Sequence, residues 1–175
     1  MLDLNAPAPP FTLDGVSGGD LRRVSLADFR AKWVVLFFYP ADFTFVCPTE
    51  VMGFNRRLGE FAALDAAVLG ISVDDVETHR AWAAELGGVA FPLLSDTSGD
   101  VCRAYGVMNG AERRAWRATV VVSPGGTIAY EVVSPMNVGR SVEETHRVLG
   151  ALATGRLCPA DWQPGQATLD PALRY

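Results

Sequence analysis

Cysteine and histidine are scarce in this chain of 175 residues: three of the first, Cys47, Cys102 and Cys158, and two of the second, His79 and His146. Thiols this few and this scattered exclude a disulfide-stapled framework, which a chain of this length does not need. No CxxC pair occurs, and a zinc site would have to collect four ligands from distant segments, so no metal is implied. Long apolar runs are missing as well. The longest, Trp33 to Tyr39, covers seven residues, where a membrane span needs about twenty. Met1 to Phe11 hold three prolines and no base, unlike the basic and apolar regions of a secretory signal, and the chain reads as cytoplasmic. Positive charge is not in excess either. Fifteen Lys and Arg stand against twenty Asp and Glu, a net charge of −5, so no global field draws in nucleic acid or an anionic membrane.

What is present is enough apolar residue, 49% against 20% charged, to fill one globular core and to exclude disorder. Trp33 to Tyr39 is a β-branched and aromatic run ended by Pro40, as in a strand buried on both faces. A helix is expected from about Pro48, with Phe54, Leu58, Phe61 and Leu64 at helical spacing. Ala66 to Val73 reads as a second buried strand and Asp74 to Leu86 as a helix with acids in its first turn, stopped by Gly87 and Gly88. Phe91 to Leu94 is a short strand and Gly99 to Tyr105 a short helix. Ala118 to Val122 and Thr127 to Val133 flank Ser123-Pro-Gly-Gly126 as a hairpin. Ser141 and Glu144 suggest a capping box for a helix through Leu152. Phe11 to Leu13 and Val24 to Leu26 suggest a small N-terminal hairpin. The order gives an α/β architecture, a mixed sheet with helices on its faces. Residues 1–154 form that domain, and 155–175 read as an extended tail.

Cys47 follows a buried strand and stands at the mouth of a helix, where unpaired N–H groups and the helix dipole favour a thiolate. A thiol of ordinary pKa about 8.5 falls to roughly 3.5–7.5 in such settings. Pro48 suits the first helical turn. Thr44 is placed either to close a turn or to aim its hydroxyl at the sulfur. A buried, inert thiol is the competing reading for Cys47.

The segment Pro40-Ala-Asp-Phe-Thr44-Phe-Val-Cys47-Pro-Thr-Glu50 resembles the active-site loop of the peroxiredoxins, the PxxxTxxC pattern, in the typical two-cysteine alkyl hydroperoxide reductase C subfamily. Arg117, the phrase Asn137-Val-Gly-Arg140-Ser-Val-Glu-Glu-Thr145 and Leu157-Cys158-Pro-Ala-Asp-Trp162 carry the resemblance over nearly the whole chain. It implies a thioredoxin-like fold and a thiol-dependent peroxidase that reduces hydrogen peroxide and organic hydroperoxides through a sulfenic acid and then a disulfide. Cys47 matches the peroxidatic cysteine and Arg117 the arginine that stabilises thiolate and leaving oxygen. Thr44 matches the residue that bonds the peroxide, Pro40 the one that excludes water, and Glu50 and Arg140 the pair that orients Arg117. Cys158 matches the resolving cysteine.

The implied partners are a hydroperoxide, thioredoxin or a dedicated disulfide reductase as electron donor, and a second copy in a head-to-tail homodimer that can close into a ring of dimers. No metal, haem or flavin is implied. A peroxide sensor or redox-regulated chaperone using the same cysteine is the alternative. A thioredoxin-type reductase fails, because the position completing CxxC is Glu50. Cys102 reads as a core thiol, with resolving duty the lesser alternative. The short Gly87-Gly88-Val89-Ala90 segment and a tail ending in Leu173-Arg174-Tyr175 lack the Gly-Gly-Leu-Gly and Tyr-Phe features of oxidation-sensitive relatives, so ready disulfide formation is expected.

Overall fold

The computed structural model describes residues 2–172. An N-terminal hairpin, Thr12–Ser17 (β1) and Asp20–Ser25 (β2), precedes Trp33–Phe38 (β3). Cys47–Arg56 (α1) and Leu58–Ala63 (α2) lead to Ala66–Ser72 (β4), and Val76–Glu85 (α3) leads to Leu93–Ser95 (β5). Asp100–Ala104 (α4) is followed by a ribbon, Met108–Asn109 (β6) with Arg114–Ala115 (β7), then by Arg117–Val122 (β8), Ile128–Ser134 (β9) and Val142–Thr154 (α5). Among the described residues the main sheet has the order β2-β1-β5-β4-β3-β8-β9. Neighbours β3/β4 and β4/β5 are parallel, and β1/β5, β3/β8 and β8/β9 antiparallel. This is the mixed, helix-flanked sheet expected, in a thioredoxin-like arrangement.

Side chains on a strand alternate between faces, and β3 divides its apolar run accordingly. Val34, Leu36 and Phe38 join Ile71, Cys102 and Tyr105 in one cluster, whereas Val35, Phe37 and Tyr39 join Cys47, Phe54, Trp82 and Leu149 in another. The second cluster is the one under α1, α3 and α5. Gly70 lets the two centres of that face close: a Cβ there would lie 2.8 Å from the Phe37 ring.

Several boundaries differ from expectation. Helix α1 begins at Cys47 itself, one residue before Pro48, and the single helix expected through Leu64 breaks at Arg57. There the Arg57 N–H donates to the Phe54 carbonyl three residues back, a tighter turn that redirects the chain. Asp74 is not helical; Asp75 caps α3, its carboxylate accepting from the Thr78 N–H at 2.8 Å. Ser141 caps α5, but Glu144 turns to Arg147 instead of closing the box; the reciprocal box forms at Ser25 and Asp28. The ribbon β6/β7 had no sequence signal longer than two residues.

The segment after α5 is not extended over 155–172. It turns back along the helix, with a bridge between Leu157 and Leu169 and with Trp162 only 4% exposed. Arg147 Nη1 donates to the Trp162 carbonyl at 3.0 Å, the indole Nε1 donates to the Gln166 carbonyl at 3.1 Å, and the ring lies over Gly150 beside Pro164. Burial of one aromatic anchor compensates for the missing periodicity. Leu173 to Tyr175 lie outside the described residues. Trp162→Ala is expected to expose residues 155–172 to limited proteolysis while β3 and β8 stay protected; unchanged cleavage would mean that the ring is not the anchor.

Candidate active site

Because β8 runs antiparallel to β3, its first residue, Arg117, lies beside the carboxyl end of β3, where the chain leaves through Tyr39 and Pro40 toward α1. The loop returns the chain so that α1 starts at the same end of the sheet. Positions three apart share a helix face, so Cys47 and Glu50 both point inward, and both are buried. Arg140 arrives from the loop before α5.

These four side chains form one cluster. Arg117 Nη1 lies 3.3 Å from Cys47 Sγ and 2.8 Å from Glu50 Oε2, while Arg117 Nε donates to the Met136 carbonyl at 2.8 Å. Glu50 Oε1 accepts from the Arg140 backbone N–H at 2.9 Å and from its Nε at 3.0 Å. Arg140 further donates from Nη1 to the Ala118 carbonyl at 2.6 Å and from Nη2 to the Phe38 carbonyl, and its guanidinium lies over the Phe37 ring. Burial pushes the Arg140 guanidinium below its usual range, and the Glu50 carboxylate opposes that shift. Two guanidiniums thus face one carboxylate and one sulfur in a space closed to bulk water. A negative sulfur gains more from the Arg117 donor than a neutral thiol does and balances the second cation.

Thr44 is partly buried, and its hydroxyl donates to the Ala41 carbonyl at 3.0 Å, closing a turn. Pro40 is buried at the loop's start. The sequence motifs therefore converge for Cys47, Glu50, Arg117 and Arg140, with Pro40 and Thr44 in the adjoining loop. Cys158 stands apart. Its Sγ lies 3.6 Å from Thr154 Oγ1 and 3.9 Å from the Ala151 carbonyl, at the far end of α5 from Arg140. Cys102 is buried on the opposite face of the sheet from Cys47, and burial, with Asp96 beside it, pushes its thiol far up. The Met136 carbonyl that holds Arg117 carried no sequence signal, since a backbone acceptor has none.

Removing Glu50 leaves two buried cations facing each other, and breaking such pairs typically costs about 3–5 kcal/mol. Glu50→Ala is expected to lose that much in urea unfolding; a loss under about 1 kcal/mol would mean that water screens the pair. Alkylation of the native protein at pH 8, mapped by mass spectrometry, is expected to spare Cys102 until the chain is unfolded.

A family model described as the AhpC/TSA family matches residues 4–131. The chain is 46% identical over 171 residues to YkuU of Bacillus subtilis (strain 168), covering 93% of this chain and 95% of that protein. It is 39% identical over 181 residues to the thioredoxin peroxidase of Fasciola hepatica, covering 98% and 93%. The reduced 2-Cys peroxiredoxin of Plasmodium vivax superposes with a TM-score of 0.90 at 34% identity, over 97% of this chain and 93% of that one. With the family model spanning well over half of its residues and relatives matched nearly end to end, the chain belongs to the AhpC/TSA family, the peroxiredoxins.

Proposed function

We propose that Cys47 is the peroxidatic cysteine of a thiol peroxidase, a reading carried by the single Arg117 nitrogen that touches both its sulfur and Glu50. The Cys47 thiolate attacks the terminal oxygen of a hydroperoxide. An S–O bond forms, the O–O bond breaks, and the departing alkoxide or hydroxide takes up a proton, leaving a sulfenic acid. Arg117 suits both ends of this step, since its fixed fork can follow negative charge from sulfur to leaving oxygen. Glu50 and Arg140 orient Arg117, Pro40 excludes water, and Thr44 is placed to meet the peroxide once its turn bond is exchanged. The chemistry needs no metal, haem or flavin.

Cys158 is the resolving cysteine in this reading: its thiol condenses with the sulfenic acid, forming a disulfide and releasing water. The body 1–154 then carries the peroxidatic site, and 155–175 is the segment that presents Cys158. Helix α5 supports a bond between copies. Its start packs near α1, Val142 beside Gly53, and about nine residues separate Val142 from the Ala151 contact of Cys158, roughly 14 Å of helix. A disulfide needs Cα atoms within about 7 Å. A head-to-tail homodimer, able to close into a ring of dimers, supplies the partner thiol. Two electrons then return from thioredoxin or a dedicated disulfide reductase, a cycle suited to a cytoplasmic, reducing setting. Among the described residues no helix is long and apolar enough to cross a membrane.

Cys47→Ser is expected to abolish peroxide consumption, and Arg117→Ala to lower kcat/KM by about 10²–10³, the usual loss of one transition-state donor. After peroxide, non-reducing electrophoresis is expected to show a dimer band that Cys158→Ser removes. A band surviving that substitution would take Cys158 out of its role. Sustained turnover with a dithiol reductant separates the peroxidase from a sensor oxidised once per molecule.

A further inference from the structure

A second buried polar cluster adjoins the Cys47 loop and is not used by the chemistry above. The Tyr39 hydroxyl donates to Asp42 Oδ1 at 2.8 Å, and His79 Nδ1, on α3, lies 2.7 Å from Asp42 Oδ2. The Asp42 N–H donates to Asp74 Oδ2 at 2.9 Å, and Ser72 Oγ donates to the same oxygen at 2.6 Å. Tyr39, Asp42 and His79 are all buried. Burial pushes the Tyr39 hydroxyl well up, with Asp42 adding to it, so the phenol stays a donor. Burial also pushes the Asp42 carboxyl up, against the hydrogen bond from His79. Among the described residues His79 Nε2 has no partner. A ring hydrogen on Nδ1 answers this, since it gives Asp42 its donor and leaves at Nε2 a bare lone pair instead of a stranded N–H.

The loop beyond Asp42 is held much less. Phe43 adopts a left-handed φ of 52° and is 52% exposed, and Phe45 is 98% exposed. A bulky residue with positive φ is a strained one. Thr44 bonds only back to Ala41 among the described contacts. Downstream, the Arg117–Glu50–Arg140 cluster fixes α1. Residues 43–46, held by the Phe43 ring tilted against Trp82 at 6.4 Å between centroids and by the Val46 carbonyl accepting from the Thr49 N–H and hydroxyl, but by no ion pair among the described residues, therefore lie between two buried clamps. Cys47 is buried, so its sulfur must leave the pocket before any second thiol can bond it, and these residues are the slack that permits it.

Resting on the peroxidase reading above, we infer that Asp42 and His79 are positioning residues that form the upstream hinge of the Cys47 loop. Their hydrogen bond sets how the Cys47 sulfenic acid divides between two fates. In one, Cys–SOH and a Cys158 thiol give the disulfide and water, which needs the loop open. In the other, Cys–SOH and a second hydroperoxide give Cys–SO2H and an alcohol or water, which proceeds with the loop closed. Weakening the clamp raises the open population and favours the disulfide.

The test uses the full chain pulsed with hydrogen peroxide, reading the sulfinic-to-disulfide ratio at Cys47 by mass spectrometry. His79→Leu is expected to lower that ratio about tenfold, the effect of one charge-assisted hydrogen bond on a local equilibrium. His79→Asn, whose amide nitrogen can stand where Nδ1 does, is expected to restore most of it. Tyr39→Phe keeps the core shape and removes one donor to Asp42; it is expected to shift the ratio the same way by a smaller factor. Amide exchange is expected to quicken over residues 43–49 and not in β3 or β8. Wild-type ratios in both His79→Leu and Tyr39→Phe, or a uniform rise in exchange, would make the cluster an ordinary core contact and overturn the inference. Should His79→Leu not fold, the Tyr39→Phe ratio decides. A wild-type chain that forms no sulfenic acid sinks the peroxidase reading and this one together; a wild type that turns over while the variants match it sinks this one alone.

Discussion

One carboxylate holds the site together. Glu50 accepts from Arg117 with one oxygen and from Arg140 with the other, and Arg140 reaches on to the carbonyls of Phe38 and Ala118. Helix α1, strands β3 and β8 and the loop before α5 are thereby tied at one point. Ion pairs buried this deeply are poor sources of net stability, because desolvation offsets most of their attraction. Their effect here is on geometry. Arg117 has its fork shared between sulfur, carboxylate and a backbone carbonyl, so it cannot turn away from Cys47 without stranding a buried donor.

The order of chemistry-bearing residues was legible wherever it depended on local pattern. The apolar run of β3 with its stop at Pro40, and Cys47 at a helix entrance, follow from neighbouring residues alone, and they sufficed to place this sulfur beyond the carboxyl end of a strand. The partners of that sulfur were not legible by pattern. Arg140 meets Glu50 across 90 residues and His79 meets Asp42 across 37, and no periodicity links such positions; the first pair was reached only through family resemblance, the second not at all. Helix ends misled for a related reason. Ser141 and Glu144 carry the right residues for a reciprocal cap, yet Arg147 offers Glu144 two charged donors at 2.6 and 2.8 Å, a stronger claim than one backbone N–H. The segment after α5 has turn-forming residues and little else, so its order depends on Trp162, whose seat at Gly150 is visible only in three dimensions.

The same distribution of contacts answers opposite demands on one sulfur. In the proposed cycle, attack on a peroxide needs Cys47 fixed beside a donor, whereas disulfide formation needs it released. Interaction strength is graded along the chain accordingly: paired charges at Glu50, neutral and singly charged hydrogen bonds at Asp42, and an exposed, strained stretch between them. In the proposed opening, residues 43–46 and Cys47 yield first, and the Arg117–Glu50–Arg140 tie, which holds the first turn of α1, yields last.

Helix α5 bears on the second half of the proposed cycle. The loop entering it carries Arg140 to Glu50, and its C-terminal end seats Cys158 against Ala151 and Thr154, so the helix lies between the two thiols. A same-chain bond would require the Trp162 anchor and α1 to give way together. The head-to-tail pair of copies proposed above would avoid that, since each would present its Cys158 end to the other's Cys47 end, and one contact repeated by symmetry would supply both disulfides.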